Sequence, residues 1–182
     1  MPVASHLDEA VEPEARQIVQ RLKAAGIRAR LDDRDMRPGA KHYDWEIKGV
    51  PIRIEVGPRD LSNGTFVSTM RTGGKQSHPL LELEVYVRKG LEDVSAELRA
   101  RSSALMESKM RVLGALPEDP NDLEDGIVYE VAFDGNDADA ERLEKGTNLT
   151  LLGDDLEPYG DEVACIVTGR MTTRRQYLAR MY

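Results

Sequence analysis

The run Leu31-Asp32-Asp33-Arg34-Asp35, then Arg37-Pro38-Gly39, then Trp45-Glu46-Ile47-Lys48-Gly49-Val50-Pro51-Ile52-Arg53-Ile54-Glu55-Val56-Gly57-Pro58-Arg59-Asp60 decides how this chain is read. Within it, Val50, Ile52, Ile54 and Val56 alternate with Pro51, Arg53 and Glu55. Successive side chains of a strand point to opposite faces, so residues 50–56 predict a strand that buries one face and shows Arg53 and Glu55 on the other. Arg37-Pro38-Gly39 is a turn signal, and residues 41–48 predict a short helix stopped by Gly49.

Upstream, Val11, Ala15, Ile18, Val19, Leu22 and Ala25 recur at three- and four-residue spacing with Gly26 following, which predicts an amphipathic helix over 9–25. Ile27, Ala29 and Leu31 alternate with Arg28 and Arg30, the pattern of a strand with one basic, wet face. Downstream, Gly57-Pro58 and Asn63-Gly64 bracket a loop, 65–70 reads as another strand, and Gly73-Gly74 marks a tight turn. Leu80, Leu83, Val87, Leu91, Val94 and Leu98 keep helical spacing, and Leu105, Met106, Met110 and Leu113 extend or repeat it. After the acidic, Pro-rich run Pro117-Glu118-Asp119-Pro120-Asn121-Asp122, the pattern gives a strand at 127–133, a helix at 138–145, a strand near 149–152 and a closing pair at 163–167 and 176–181. No internal repeat is present. The fold class is α/β, a mixed β-sheet flanked by helices, followed by a small α+β module, with domains at 1–116 and 117–182 and a long helical segment over 80–115.

The chain has 182 residues, 40% of them hydrophobic, enough for a real core. No apolar stretch approaches the roughly 18 residues that span a bilayer, so a cytoplasmic protein with no membrane partner is expected. The single cysteine, Cys165, leaves no internal disulfide framework. A net charge of −8 is unfavourable for binding a polyanion, but the charge is unevenly spread. Residues 28–75 carry ten Lys or Arg against seven acids, whereas 117–163 carry sixteen acids against Arg142 and Lys145 alone. The second stretch should repel nucleic acid.

The motif run resembles the anticodon-binding domain of class II aminoacyl-tRNA synthetases, most closely that of the archaeal and eukaryotic-type prolyl-tRNA synthetases. The match is dense from Gly26 to Asp60 and thin after Asp119, and it makes 1–116 the anticodon-binding domain and 117–182 the family's C-terminal module. The resemblance implies that Glu46, Arg53 and Lys75 contact two anticodon guanines, and that the partners are proline tRNA and the catalytic domain of the same enzyme, with a homodimer left open. It places ATP and Mg in the full-length enzyme and no cofactor in this chain, where the class II catalytic core is absent. The family's anticodon domain opens with an apolar parallel strand ending in Pro-Ile or Pro-Val; here the chain begins at Met1-Pro2-Val3 with that first strand missing, so the chain looks like the C-terminal part of something longer. Many relatives hold zinc in the C-terminal module through four cysteines. Here those places fall on Asp134, Asp139, Cys165 and Thr168, and one thiolate with two carboxylates does not make a closed zinc site. Tyr182 matches the family's terminal aromatic residue.

Catalytic signatures are lacking: there is no phosphate loop, no nucleophile elbow, and His6, His42 and His78 are scattered, so no catalytic residue is assigned. Thr72-Gly73-Gly74-Lys75 reads better as a hairpin turn than as a phosphate cradle. Arginine's planar fork suits guanine O6 and N7, and a carboxylate can accept from guanine N1 and N2, so a Glu beside an Arg suits guanine reading. The bland alternative is a Glu46–Arg53 surface ion pair worth about 0–1 kcal/mol. Arg34, Arg37, Lys48 and Arg59 are candidates for tRNA backbone contact, and Arg170, Arg174 and Arg175 form a second basic cluster, either a solvated turn or a phosphate contact. Asp32, Asp33 and Asp35 serve turns and ion pairs rather than a metal. The competing reading is a free-standing paralogue acting as a protein-interaction or regulatory module; a small-molecule α/β binding domain is a weaker third.

Overall fold

A computed structural model describes residues 1–3 and 8–181. The chain divides into two compact units, Met1–Arg101 and Ser102–Tyr182, a division ahead of the 117–122 run. No helix among the described residues is long and apolar enough to cross a membrane.

In the first unit, α1 (Val11–Ala24) buries the stripe Val11, Ala15, Ile18 and Leu22, and Gly26 follows it with φ +77°. Glu12 and Glu14 in its first turn and Arg21 and Lys23 in its last oppose the partial charges of the helix ends. A short helix α2 (Pro38–Ile47) leads into β1 (Ile52–Glu55), and α3 (Pro58–Ser62) leads into β2 (Thr65–Met70). The hairpin partner β3 (Gly73–Pro79) completes an antiparallel sheet in the order β1-β2-β3. Ile18, Leu22, Val56 and Phe66 pack with Leu83 and Val87 of the long helix α4 (Leu83–Lys109) to form the core. Arg21 of α1 donates to both carboxylate oxygens of Glu84, at 2.8 and 2.9 Å, which pins α1 to α4.

Three expectations need correction here. Residues 27–31 form no strand, because a strand requires a ladder partner as well as alternation. The position between them and β1 is instead a cavity of about 370 Å³ walled by Ile18, Leu22, Ala29, Ile52, Ile54 and Val87. Among the described residues, Met1–Val3 run parallel to the chain at the end of β1: Val3 N donates to Val56 O at 2.8 Å and Val56 N to Met1 O at 3.2 Å. Second, helical spacing does not carry α4 through Met110 and Leu113; a strand, β4 (Met110–Val112), begins there. Third, Glu55 is not on display. It is 6% exposed, covered by Arg53 of its own strand and Lys75 of β3.

In the second unit, β4 runs parallel to β5 (Val128–Ala132), and β9 (Arg175–Ala179) lies antiparallel between β5 and β6 (Thr150–Asp154). The helix α5 (Asp137–Thr147) contributes Leu143 to a core with Val131, Phe133 and Leu178. Asn136 caps this helix by accepting from Ala138 N and Asp139 N. The expected closing pair does not form. β7 (Val163–Ala164) pairs with β8 (Met171–Thr172), and β9 takes an inner position between β5 and β6, with its Gln176 and Leu178 buried.

Candidate functional site

The register of the first sheet fixes the site. Arg53 on β1 and Lys75 on β3 both lie opposite Thr69 on β2, so the three form one row across the sheet. Strand spacing puts the outer two backbones about 10 Å apart. The alternation that sends Phe66 and Ser68 into the core sends Thr69 to the other face, with Arg53 and Lys75. Thr69 Oγ1, at the middle of the row, has no hydrogen-bond partner among the described residues.

Glu55, two residues along from Arg53 on the same face, draws the charged heads together. Its Oε1 accepts from Arg53 Nε at 3.1 Å and its Oε2 from Lys75 Nζ at 3.0 Å. His42 Nε2 of α2 lies 2.9 Å from Oε1, off the line a hydrogen bond needs, so it adds charge only when the imidazole is protonated. Burial works to raise the Glu55 pKa, but the Lys75 and Arg53 hydrogen bonds outweigh it and the carboxyl lies below its ordinary value. Glu46, on the exposed side of α2, accepts from Arg53 Nη1 at 3.3 Å. The guanidinium is thus gripped by Nε and Nη1, with Nη2 committed to neither bond. Glu46, Arg53 and Lys75 therefore share one face, with Glu46 and Lys75 exposed and Arg53 lower, its side chain 15% exposed. Sequence reading missed Glu55 as a site member. Its place two residues from Arg53 on one strand face was the available signal.

The Leu-Asp-Asp-Arg-Asp motif builds the flank of the site. Asp32 accepts from Arg34 Nε and Nη2, both at 2.8 Å, and from Trp45 Nε1 at 2.7 Å, and Arg34 Nη1 reaches Asp44 at 2.7 Å. Arg34 thus clamps the 32–35 turn to α2. Lys48 Nζ stands 4.7 Å over the Trp45 ring, with Arg30 at 5.5 Å. Arg37 and Arg59 are exposed at the starts of α2 and α3. The Thr72-Gly73-Gly74-Lys75 segment is hairpin, with a bulge at Thr69/Met70 and positive φ at both glycines.

In the second unit, Asp134 Oδ1 accepts from Thr168 Oγ1 at 3.1 Å, Thr168 N donates to Cys165 Sγ at 3.5 Å, and Arg170 pairs with Asp134 at 3.4 Å. The Cys165 thiol, then Thr168 and Arg170, hold the Asp134 carboxyl below its usual range against burial. Asp139 is occupied elsewhere, accepting from Asn136 N at 3.2 Å. These residues do not fit a zinc ion: one thiol, 3% exposed within the core, and carboxylates already committed. Nor does the second basic cluster offer unpaired cations. Arg174 pairs with Asp154 at 2.9 Å and Arg175 with Asp155 at 3.2 Å. Tyr182 lies outside the described residues. Between the Asp134 knot and α5, a Cβ added to Gly135 would sit 2.5 Å from Asp139 Cβ and 2.6 Å from Phe133 Cζ. Gly135→Ala should therefore cost about 2 kcal/mol, read as a lowered urea midpoint; an unchanged midpoint would show that the loop can yield.

A family profile described as "Anticodon binding domain" matches residues 1–101. The chain belongs to this anticodon-binding domain family. It is also 36% identical over 186 residues, covering 100% of its length, to the proline–tRNA ligase of Methanothrix thermoacetophila, and 39% identical over 152 residues, 82% of its length, to that of Methanocorpusculum labreanum. With the proline–tRNA ligase of Pyrococcus abyssi it shares 38% identity over 184 residues, 96% of the chain. The chain spans 38%, 32% and 38% of the length of these three relatives.

Proposed function

We propose that the first unit binds the anticodon loop of proline tRNA and that the chain works as the tRNA-recognising part of a proline–tRNA ligase. ATP-dependent activation of proline, with its Mg, and transfer to tRNA would then be carried out by a catalytic domain of the same enzyme. The observation that carries this reading is the Arg53–Thr69–Lys75 row with Glu46 seated on Arg53. Unpaired anticodon bases are splayed out and read on their edges. An arginine fork and an ammonium supply donors for guanine O6 and N7, and the exposed Glu46 carboxylate can swing from Arg53 to accept from guanine N1 and N2. The exposure of Arg37, Lys48 and Arg59 supports phosphate contact by them, whereas Arg34 is held by two carboxylates and orients the turn. The alternative of a protein-interaction module has no comparable cluster behind it.

Arg53→Ala and Lys75→Ala should each weaken binding to proline tRNA by about 10-fold or more while barely affecting a tRNA whose anticodon guanines are replaced by adenines. Fluorescence anisotropy at fixed salt measures both. Equal weakening for the two tRNAs would reduce the row to phosphate contact and remove the guanine reading.

A further inference from the structure

We infer that Glu55 is a positioning residue for base recognition: one shielded carboxylate sets the separation of Arg53 and Lys75 by holding each with a different oxygen. The inference rests on the guanine reading and adds to it a residue that never touches RNA.

Three observations support it. The two oxygens divide the work, Oε1 taking Arg53 Nε at 3.1 Å and Oε2 taking Lys75 Nζ at 3.0 Å. A carboxylate is planar and rigid, so those two bonds convert independent side chains from strands β1 and β3 into one unit of fixed spacing. Next, Lys75 needs such a restraint. Its side chain is 61% exposed on a flexible four-carbon stem, and an unrestrained ammonium would spread over solvent rotamers rather than wait at one point. Finally, the carboxylate is shielded where strand alternation would expose it, at 6% exposure with His42, Arg53 and Lys75 around it. Desolvating an anion is costly, and the cost is offset only while the cations stay in place. The same geometry therefore holds the carboxylate and its cations together.

The sign of the effect separates this role from simple countercharge. Removing a negative charge from an RNA-binding face should tighten binding to any RNA, because phosphates are attracted without regard to sequence. Loss of a positioning group should weaken binding to the cognate anticodon alone. Glu55→Gln keeps shape and loses charge; Glu55→Asp keeps charge and, one methylene shorter, draws the two cations out of their parent separation if it holds both. Both are assayed in the full chain by anisotropy against proline tRNA and against the tRNA with adenines in place of the anticodon guanines, after circular dichroism has established folding.

Each variant should lose about 10-fold in affinity for proline tRNA, with the ratio between the two tRNAs falling towards one. In a Lys75→Ala background the Glu55→Gln effect should shrink at least 3-fold, since half of what Glu55 places is gone. If Glu55→Gln does not fold, Glu55→Asp carries the test. Tightening of both tRNAs, or an unchanged ratio in a folded variant while Arg53→Ala and Lys75→Ala abolish it, overturns the positioning role and leaves the guanine reading standing. An unchanged ratio in all four single variants overturns the guanine reading and this inference with it.

Discussion

Asp32→Ala should lower the unfolding free energy by about 2–3 kcal/mol, because it removes the acceptor on which the turn and α2 converge. The Asp32 carboxylate is 4% exposed and takes Trp45 Nε1 at 2.7 Å together with two Arg34 nitrogens. Most of the loss comes from the indole N–H and the shielded site left without an acceptor. The Arg34 share is small, since that guanidinium is 40% exposed and screened by solvent. Asp32→Asn, which keeps an oxygen for Trp45, should lose less. The pH dependence follows from the direction of the shift: the Arg34 side chain first, then Trp45, hold the Asp32 carboxyl well below its ordinary 3.8, against burial. A carboxyl depressed in the folded state contributes its full stability above the ordinary value and loses it as pH falls through the folded one. Glu55, lowered from 4.5, has the same sign. Urea midpoints from pH 7 downward should therefore fall more steeply below about pH 4 for the parent than for Asp32→Ala. A loss under about 0.5 kcal/mol at pH 7 would place Asp32 among ordinary surface carboxylates.

How much the sequence reveals depends on what each element needs from elsewhere. α1 was readable because a single stripe, Val11, Ala15, Ile18 and Leu22, meets the core, and the stripe is written in the spacing. Residues 27–31 have the alternation of a strand yet pair with no strand among the described residues, and alternation does not record partners. Met110 and Leu113 stand three apart, a spacing that a helix and the end of a short strand share, and the pairing of Met110–Val112 with β5 decides for the strand. The same limit applies at the site. Arg53 and Glu55 on one face follow from the period of two, but the alignment of Arg53 with Lys75 depends on the hairpin turn and on the bulge at Thr69/Met70. Glu55 looks exposed in the sequence because the side chains that cover it, His42, Arg53 and Lys75, come from α2, β1 and β3, and no local pattern counts them.

Phe66→Ala should have the largest effect on stability, about 3–5 kcal/mol. The ring is 0% exposed, with the His78 ring at 5.5 Å and the Tyr86 ring at 5.7 Å, and the Tyr86 hydroxyl bonds Ser68 Oγ at 2.7 Å beside it. Deleting it removes apolar contact area and leaves a cavity under β2 that this strand, hydrogen-bonded on both sides by β1 and β3, cannot close. Phe66 points away from the Arg53–Thr69–Lys75 row, on the opposite face of the same strand. At temperatures where the variant is still folded, its ratio of affinities for proline tRNA and the adenine-substituted tRNA should match the parent's. Stability and base discrimination would then be separable across the two faces of β2. A midpoint shift worth under about 1 kcal/mol would contradict the core assignment. A collapsed affinity ratio in folded Phe66→Ala would show that the row needs more than its register and Glu55 to hold its shape.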